Sequence, residues 1–293
     1  MSERLALADG DLTLELLPGL GAAISTLRYQ DTDVLRPATP GTDDPFETAA
    51  FVLAPYANRI ADGIFRVGDR EVRIERNAPG QEHPLHGHAW RKPWRVESST
   101  RDQAVLSFEH AADSWPWHYR VMQTLTLRAD SLEVALALEN GDSTPMPAGL
   151  GWHPYFHKGP GAQLKAHLEG VWLTDAECLP VRLAHGMRFG QWGRGDALAR
   201  PELIDHCHTS WPGVAEILLP AQGLDLALTA SRALRWLHIY SPPGRDFFCI
   251  EPVSHMPNAV NRSAPPAITG HKLLAPGERL DARVTLSVVK SDP

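Results

Sequence analysis

The chain lacks several features that would assign it quickly. Cysteine is scarce. Cys178, Cys207 and Cys249 are odd in number, far apart and never in a CxxC pair, which argues against a thiolate zinc site and a disulfide framework. A basic excess is missing too. The net charge is −7 with histidine neutral, whereas nucleic-acid surfaces and polybasic membrane contacts need clustered Lys and Arg. No uninterrupted apolar run is long enough to span a bilayer. The amino-terminal MSERLALADGDLTLELLPG is acidic and alternating, without the basic start, apolar middle and small-residue cleavage site of a signal peptide. The expectation is a cytoplasmic protein with no nucleic-acid and no membrane partner. Long amphipathic helices are also absent, and at most a short helical turn is expected near residues 193–199. No composition break marks a linker, and no fixed-period repeat suggests a propeller or solenoid. One large domain over residues 1–293 is expected.

What the chain does have is a period of two. Leu12, Leu14 and Leu16 alternate with Asp11, Thr13 and Glu15. Leu125 and Leu127 alternate with threonines, and after a polar Arg128-to-Ser131 turn the pattern resumes at Leu132, Val134, Leu136 and Leu138. Similar strand–turn–strand stretches surround Gly68-Asp69 and Gln222-Gly223, and ARVTLSVV closes the chain with another alternation. The 25 prolines and 23 glycines are spread throughout and punctuate these short segments. Many short strands separated by turns predict an all-β sandwich or barrel.

Four polar, aromatic stretches interrupt the strands: PYANRIADGIF, EHPLHGHAW, GWHPYFHKG and FFCIEPVSHMPNAVN, with LIDHCHTSWPG as a weaker fifth. His86 and His88 have the HxH spacing that lets two imidazoles on one strand face share a metal. The carboxylate expected soon after is absent, since Glu97 comes too late and Pro93 intervenes, so no metal is expected. His83 and His88 also read as loop histidines bonded to backbone. Pro154 fixes the backbone of His153 away from helix, and Trp152, Tyr155 and Phe156 surround it. That setting suits a general acid with a pKa tuned near neutrality, or a core histidine. Glu251 directly follows Phe247 to Ile250, where a buried carboxylate must be paired or functional. It reads as a general base, or as a partner of Arg59 or Arg262. Asp205 reads as a turn cap or a site residue. Donors and acceptors mixed with aromatic plates are what a monosaccharide requires.

The motifs ANRI-x-x-G-x-F, LHG, HPYF and EP-x-x-x-x-PNA-x-N, in that order, resemble the aldose 1-epimerase (galactose mutarotase) family from about Ala54 to the C-terminal strand. The resemblance implies a large antiparallel β-sandwich of the supersandwich type, with no metal and no organic cofactor. It implies an isomerase that interconverts the α and β anomers of an aldose. His153 would be the general acid and Glu251 the general base. Arg59, His86 and Asp205 would bind the sugar, with Asn58 and Tyr155 as neighbours, and His83 and His88 would shape or rim the pocket. Many relatives read LHGG where this chain has His88, and bacterial relatives often have an aromatic residue where His208 stands. Three other readings compete with it: a mutarotase of phosphorylated or sulfonated sugars, a non-catalytic sugar binder, and a lyase or hydrolase on a similar sandwich. The protein is expected as a monomer or homodimer. Trp115 and Trp117 are expected to be exposed and to wall the sugar site or a dimer contact, with core packing as the alternative.

Overall fold

A computed structural model describes residues 4–289. The period of two becomes two large antiparallel sheets packed face to face. The larger runs in spatial order Leu5–Asp9, Leu12–Leu17, Ala23–Tyr29, Ala50–Leu53, Gly151–His157, Phe247–Val253, Trp236–Ser241, Ile204–Thr209, Gly170–Thr174 and Pro180–His185, with Thr32–Asp33 beside the third. The second includes the long strands Tyr119–Arg128, Ser131–Asn140 and Arg279–Val289. Two small two-stranded ribbons complete the β structure, and among the described residues the only α-helix is the single turn Pro266–Thr269. No described helix is long and apolar enough to cross a membrane.

Register follows side-chain chemistry. Leu125 pairs with Val134 and Leu127 with Leu132 across the expected hairpin. These residues are buried, while Arg128 faces solvent. A one-residue slip would turn the whole apolar row outward, so the alternation itself fixes the pairing.

The larger sheet buries both faces, each against something different. One core cluster joins Trp152, Phe156, Leu237, Ile239, Phe248 and Ile250 of this sheet to Leu132, Val134 and Leu286 of the other. The opposite face has its own smaller cluster, including Phe51, Tyr155, Trp236 and Cys249, covered by loop residues such as Trp90 and Met256.

One expectation is corrected and another is met in part. Trp115 and Trp117 are both 1% exposed. Trp115 packs on Tyr56 at 5.5 Å and Phe65 at 5.4 Å, and the Trp117 indole N–H donates to Thr144 Oγ1 at 3.1 Å. Their polar surroundings in DSWPWHY hid a packed aromatic cluster. Near residues 193–199, a 3₁₀ turn at Trp192–Arg194 gives way to the short strand Asp196–Ala197.

Candidate active site

The distinctive chemistry sits on the loop-covered face of the larger sheet. Phe51 lies opposite His153. Gly151 pairs with Val253 and Tyr155 with Cys249, so His153, midway, lies opposite Glu251. Glu251 in turn pairs with His238, and His238 with Cys207. One row across five strands therefore reads Phe51, His153, Glu251, His238, Cys207. Pro154 has no N–H to give a ladder, and the recorded pairing between the HPYF and EP strands skips residues 152–154. That gap lies where His153 and Glu251 face each other.

His153 Nε2 and Glu251 Oε1 are 3.4 Å apart, and both side chains are nearly inaccessible to solvent. The imidazole is sandwiched by rings, Phe51 at 4.6 Å and Tyr155 at 4.9 Å. Arg36 lies over Tyr155 at 4.2 Å and is tied down by the carbonyls of Phe46 and Thr48. Burial lowers the His153 pKa to about 3, helped by the charge of His238. Burial also raises Glu251 to about 7, against an opposing pull from His238. The sequence-based expectation of a histidine tuned near neutrality is therefore corrected: the desolvated ring prefers to be neutral.

Next along the sheet, His238 Nε2 donates to Asp205 Oδ1 at 2.7 Å. Asp205 Oδ2 lies 3.6 Å from Arg59 Nη1. Burial opposes ionisation of Asp205, but the bond and charge of His238, with Arg59, hold its carboxyl well below the usual range. Burial likewise opposes protonation of His238, yet Glu251 and Asp205 more than offset this and raise its pKa. Arg59 therefore pairs with Asp205 rather than with Glu251. The other expected partner, Arg262, is absent from the residues lining the cavity around Glu251.

The NRI and LHG motifs form one interlocked wall. His86 N–H donates to Asn58 O at 3.0 Å, and Asn58 N–H donates back to His86 Nδ1 at 3.0 Å. Both residues have left-handed backbones, a conformation uncommon outside glycine but one in which asparagine and histidine are enriched. Asn77 Nδ2 holds the carbonyls of Leu85 and Gly87, each at 2.7 Å. Gly87 is obligatory: its φ is +70°, and a Cβ there would lie 2.3 Å from Ala54 O. His88 is not among the left-handed residues, so the next position needs no glycine. The PNA-x-N motif is a brace. Asn258 N–H donates to Arg59 O at 2.7 Å, its Oδ1 accepts from Ala61 N–H at 3.1 Å, and Asn261 Nδ2 bonds Ile64 O at 2.8 Å.

Asn58, Arg59, His86, His153, Tyr155, Asp205 and Glu251 all line one cavity of about 650 Å³. The sequence missed His238, Gln81 and Tyr240, which also line it. The available signal was a histidine alternating with Trp236 and Tyr240 in an otherwise apolar strand. His83 and His88 do not line this cavity, which corrects the expectation that they shape or rim it. His83 Nδ1 accepts from Asp62 N–H at 3.1 Å, as a loop histidine bonded to backbone should. His88 stacks on His110 at 4.4 Å, and its Nδ1 lies 3.2 Å from Tyr119 OH. The loop is not a strand, so His86 and His88 go to different places. Among the described residues, two groups bring three potential metal-ligand atoms within 4.8 Å of one another: His88, His110 and Asp113, and His153, Cys249 and Glu251.

A family model described as "Aldose 1-epimerase" matches residues 3–287. The chain is similar to the uncharacterized protein YphB of Escherichia coli K12, 30% identical over 293 residues and spanning 96% of this chain and 97% of YphB. It resembles the crystal structure of an E. coli K12 protein named as a candidate aldose 1-epimerase, with a TM-score of 0.90, 29% identity and 99% of each chain covered. It shares its fold with a galactose mutarotase-like protein from Clostridium acetobutylicum, with a TM-score of 0.87, 20% identity, and 98% of this chain and 95% of that one covered.

Proposed function

The chain belongs to the aldose 1-epimerase family, and from that premise we propose that it is a mutarotase opening and reclosing an aldopyranose, with Glu251 as base and His153 as acid. The observation that carries this reading is the His153–Glu251 pair, 3.4 Å apart, on the floor of a cavity roomy enough for a sugar. The chemistry needs one group to take the proton from the anomeric hydroxyl while another protonates the ring oxygen. The C1–O5 bond then breaks, the aldehyde turns about C1–C2, and the roles reverse as the ring closes to the other anomer. Each proton transfer contributes about 10²–10⁴-fold.

The pair must hold one proton. In the dry site both groups favour neutral forms, so that proton resides on Glu251. Passing it to His153 creates the working carboxylate and imidazolium, and the sugar's hydroxyls stabilise the charge. Arg59, His86 and Asp205 orient the ring, Asn58 fixes the loop that carries two of them, and Tyr155 walls the site. This requires no organic cofactor and no metal, and we infer that the 293 residues act as one domain.

The lining favours a neutral sugar. Its cations Arg36, Arg59 and Arg245 face the carboxylates Glu47, Asp205, Asp246 and Glu251. Arg36 is committed to carbonyls and Arg59 to Asp205, which leaves little positive charge for a phosphate or sulfonate. The test is polarimetry of freshly dissolved α-D-glucose and α-D-galactose. Acceleration that disappears in Glu251→Gln supports the reading. No acceleration with any neutral or anionic aldose would sink it.

A further inference from the structure

His238 plays no part in the two-group chemistry above, yet its placement is specific. It sits beside Glu251 in the cross-strand row, on the side away from His153. It is 3% exposed and lines the cavity. Nε2 is bonded to Asp205 at 2.7 Å, and Nδ1 has no hydrogen-bond partner among the described residues. Glu251 is thus flanked by two imidazoles, only one of which is anchored to a second carboxylate.

Charge balance says what the anchored one does. Asp205 and Glu251 are buried carboxylates whose neighbouring guanidinium is Arg59. With both ionised and His153 in its favoured neutral form, the cluster carries one uncompensated negative charge, which a low-dielectric floor opposes strongly. A proton on His238 balances it. The groups around His238 are Asp205 and Cys207 on its own face of strand Ile204–Thr209, His206 and His208 of that strand turned to the other face, Glu251 from the EP strand, His153 from the HPYF strand, and Arg59 and His86 from the loops. Of these only Asp205 and Glu251 supply negative charge, and both lie next to it.

We propose that His238 is a positioning residue of the acid–base pair: charged and held by Asp205 at the flank of Glu251, it makes Glu251 available as a carboxylate base near neutral pH. The inference rests on the mutarotase reading for its kinetic consequence but not for its electrostatic one. An imidazolium opposes added positive charge at both Glu251 and His153, so its removal moves both limbs of the pH–rate profile to higher pH.

The variants are His238→Gln, which can still donate to Asp205 but carries no charge, and His238→Phe, which suits the aromatic surroundings if Gln does not fold. Two measurements are needed on each: the pH dependence of kcat/KM for mutarotation, and the ¹³C-carboxyl titration of Glu251 without sugar, assigned with Glu251→Gln. The expected result is an upward move of both kinetic limbs by about one pH unit, the usual effect of a charge this close, with a matching rise in the Glu251 titration. Unchanged limbs and an unchanged titration, with only KM or folding affected, would overturn the proposal and leave His238 a sugar contact or packing residue. A Glu251 titration that moves in a protein showing no mutarotation with any aldose would uphold the coupling and reject the mutarotase reading instead.

Discussion

His238 and His208 lie on opposite faces of the larger sheet, both buried, and their surroundings treat them in opposite ways. On the cavity face, His238 is bonded to Asp205, and its pKa rises in spite of burial. On the face between the sheets, His208 is fully buried with neither ring nitrogen well hydrogen-bonded among the described residues, and burial drives its pKa down to about 3, against a weaker opposing pull from the backbone of His206 and Leu237. The two belong to neighbouring strands. Desolvation acts on both, and their partners separate them: Glu251 and Asp205 more than offset it at His238, whereas no carboxylate acts on His208. Depth of burial alone therefore says little about which histidine does chemistry.

The sharpest way to break the contrast is to remove the carboxylate that matters most. Glu251→Gln keeps the shape and is expected to lower kcat by about 10²–10⁴-fold. Sugar binding measured by calorimetry should survive, and its loss would recast Glu251 as a binding group. Next comes Arg59→Met, which strips Asp205 of its guanidinium. The loss of one charged hydrogen-bonding partner, about 1.5–3 kcal/mol, should appear mainly as a KM about tenfold to a hundredfold higher. A pure kcat effect would contradict an orienting role.

The buried histidines whose pKa values fall should respond in stability instead, on whichever face or loop they sit. His88, His153, His208 and His255 all have folded pKa values lowered by burial, to about 4, 3, 3 and 4 respectively. Each is neutral in the folded protein and takes up a proton on unfolding below its ordinary pKa. Stability is therefore fully present above pH about 6.5 and is lost as pH falls toward those folded values. Each group contributes up to about 1.4 kcal/mol per pH unit. Urea denaturation at stepped pH reads this directly, and a flat profile between pH 6.5 and 4.5 would refute it. Smallest of all, His208→Leu relieves an unpaired buried ring and should stabilise the fold by about 1 kcal/mol at neutral pH, flatten the acid slope, and leave mutarotation unchanged. Destabilisation would mean that the ring packs better than its missing partners suggest.

Much of this was legible in the chain, for identifiable reasons. Strands such as Ser131–Asn140 announce themselves because one face is buried and alternation is local. The site motifs were legible because each encodes a backbone need: Gly87 for a left-handed turn pressed against Ala54, and Asn258 to brace Arg59. His238 was not legible. Its meaning comes from lying opposite Glu251, a register set by whole strands and written in no short pattern. Trp115 and Trp117 misled for the converse reason, since Asp, Ser and Pro neighbours make a segment look exposed while its rings point inward. The fate of His88 turned on a loop path that spacing alone does not determine.

The lock between Asn58 and His86 has a consequence of its own. A backbone amide cannot give up its hydrogen, so Nδ1 of His86 must remain an acceptor, and the ring's single hydrogen is confined to Nε2. Burial and the charges of His153 and Arg59 oppose a second proton. His86 is therefore polarised in one direction only: it can offer a hydrogen to a sugar oxygen, at any working pH, and can never accept one. Amid groups whose protons move, it is the fixed pole against which the substrate is oriented.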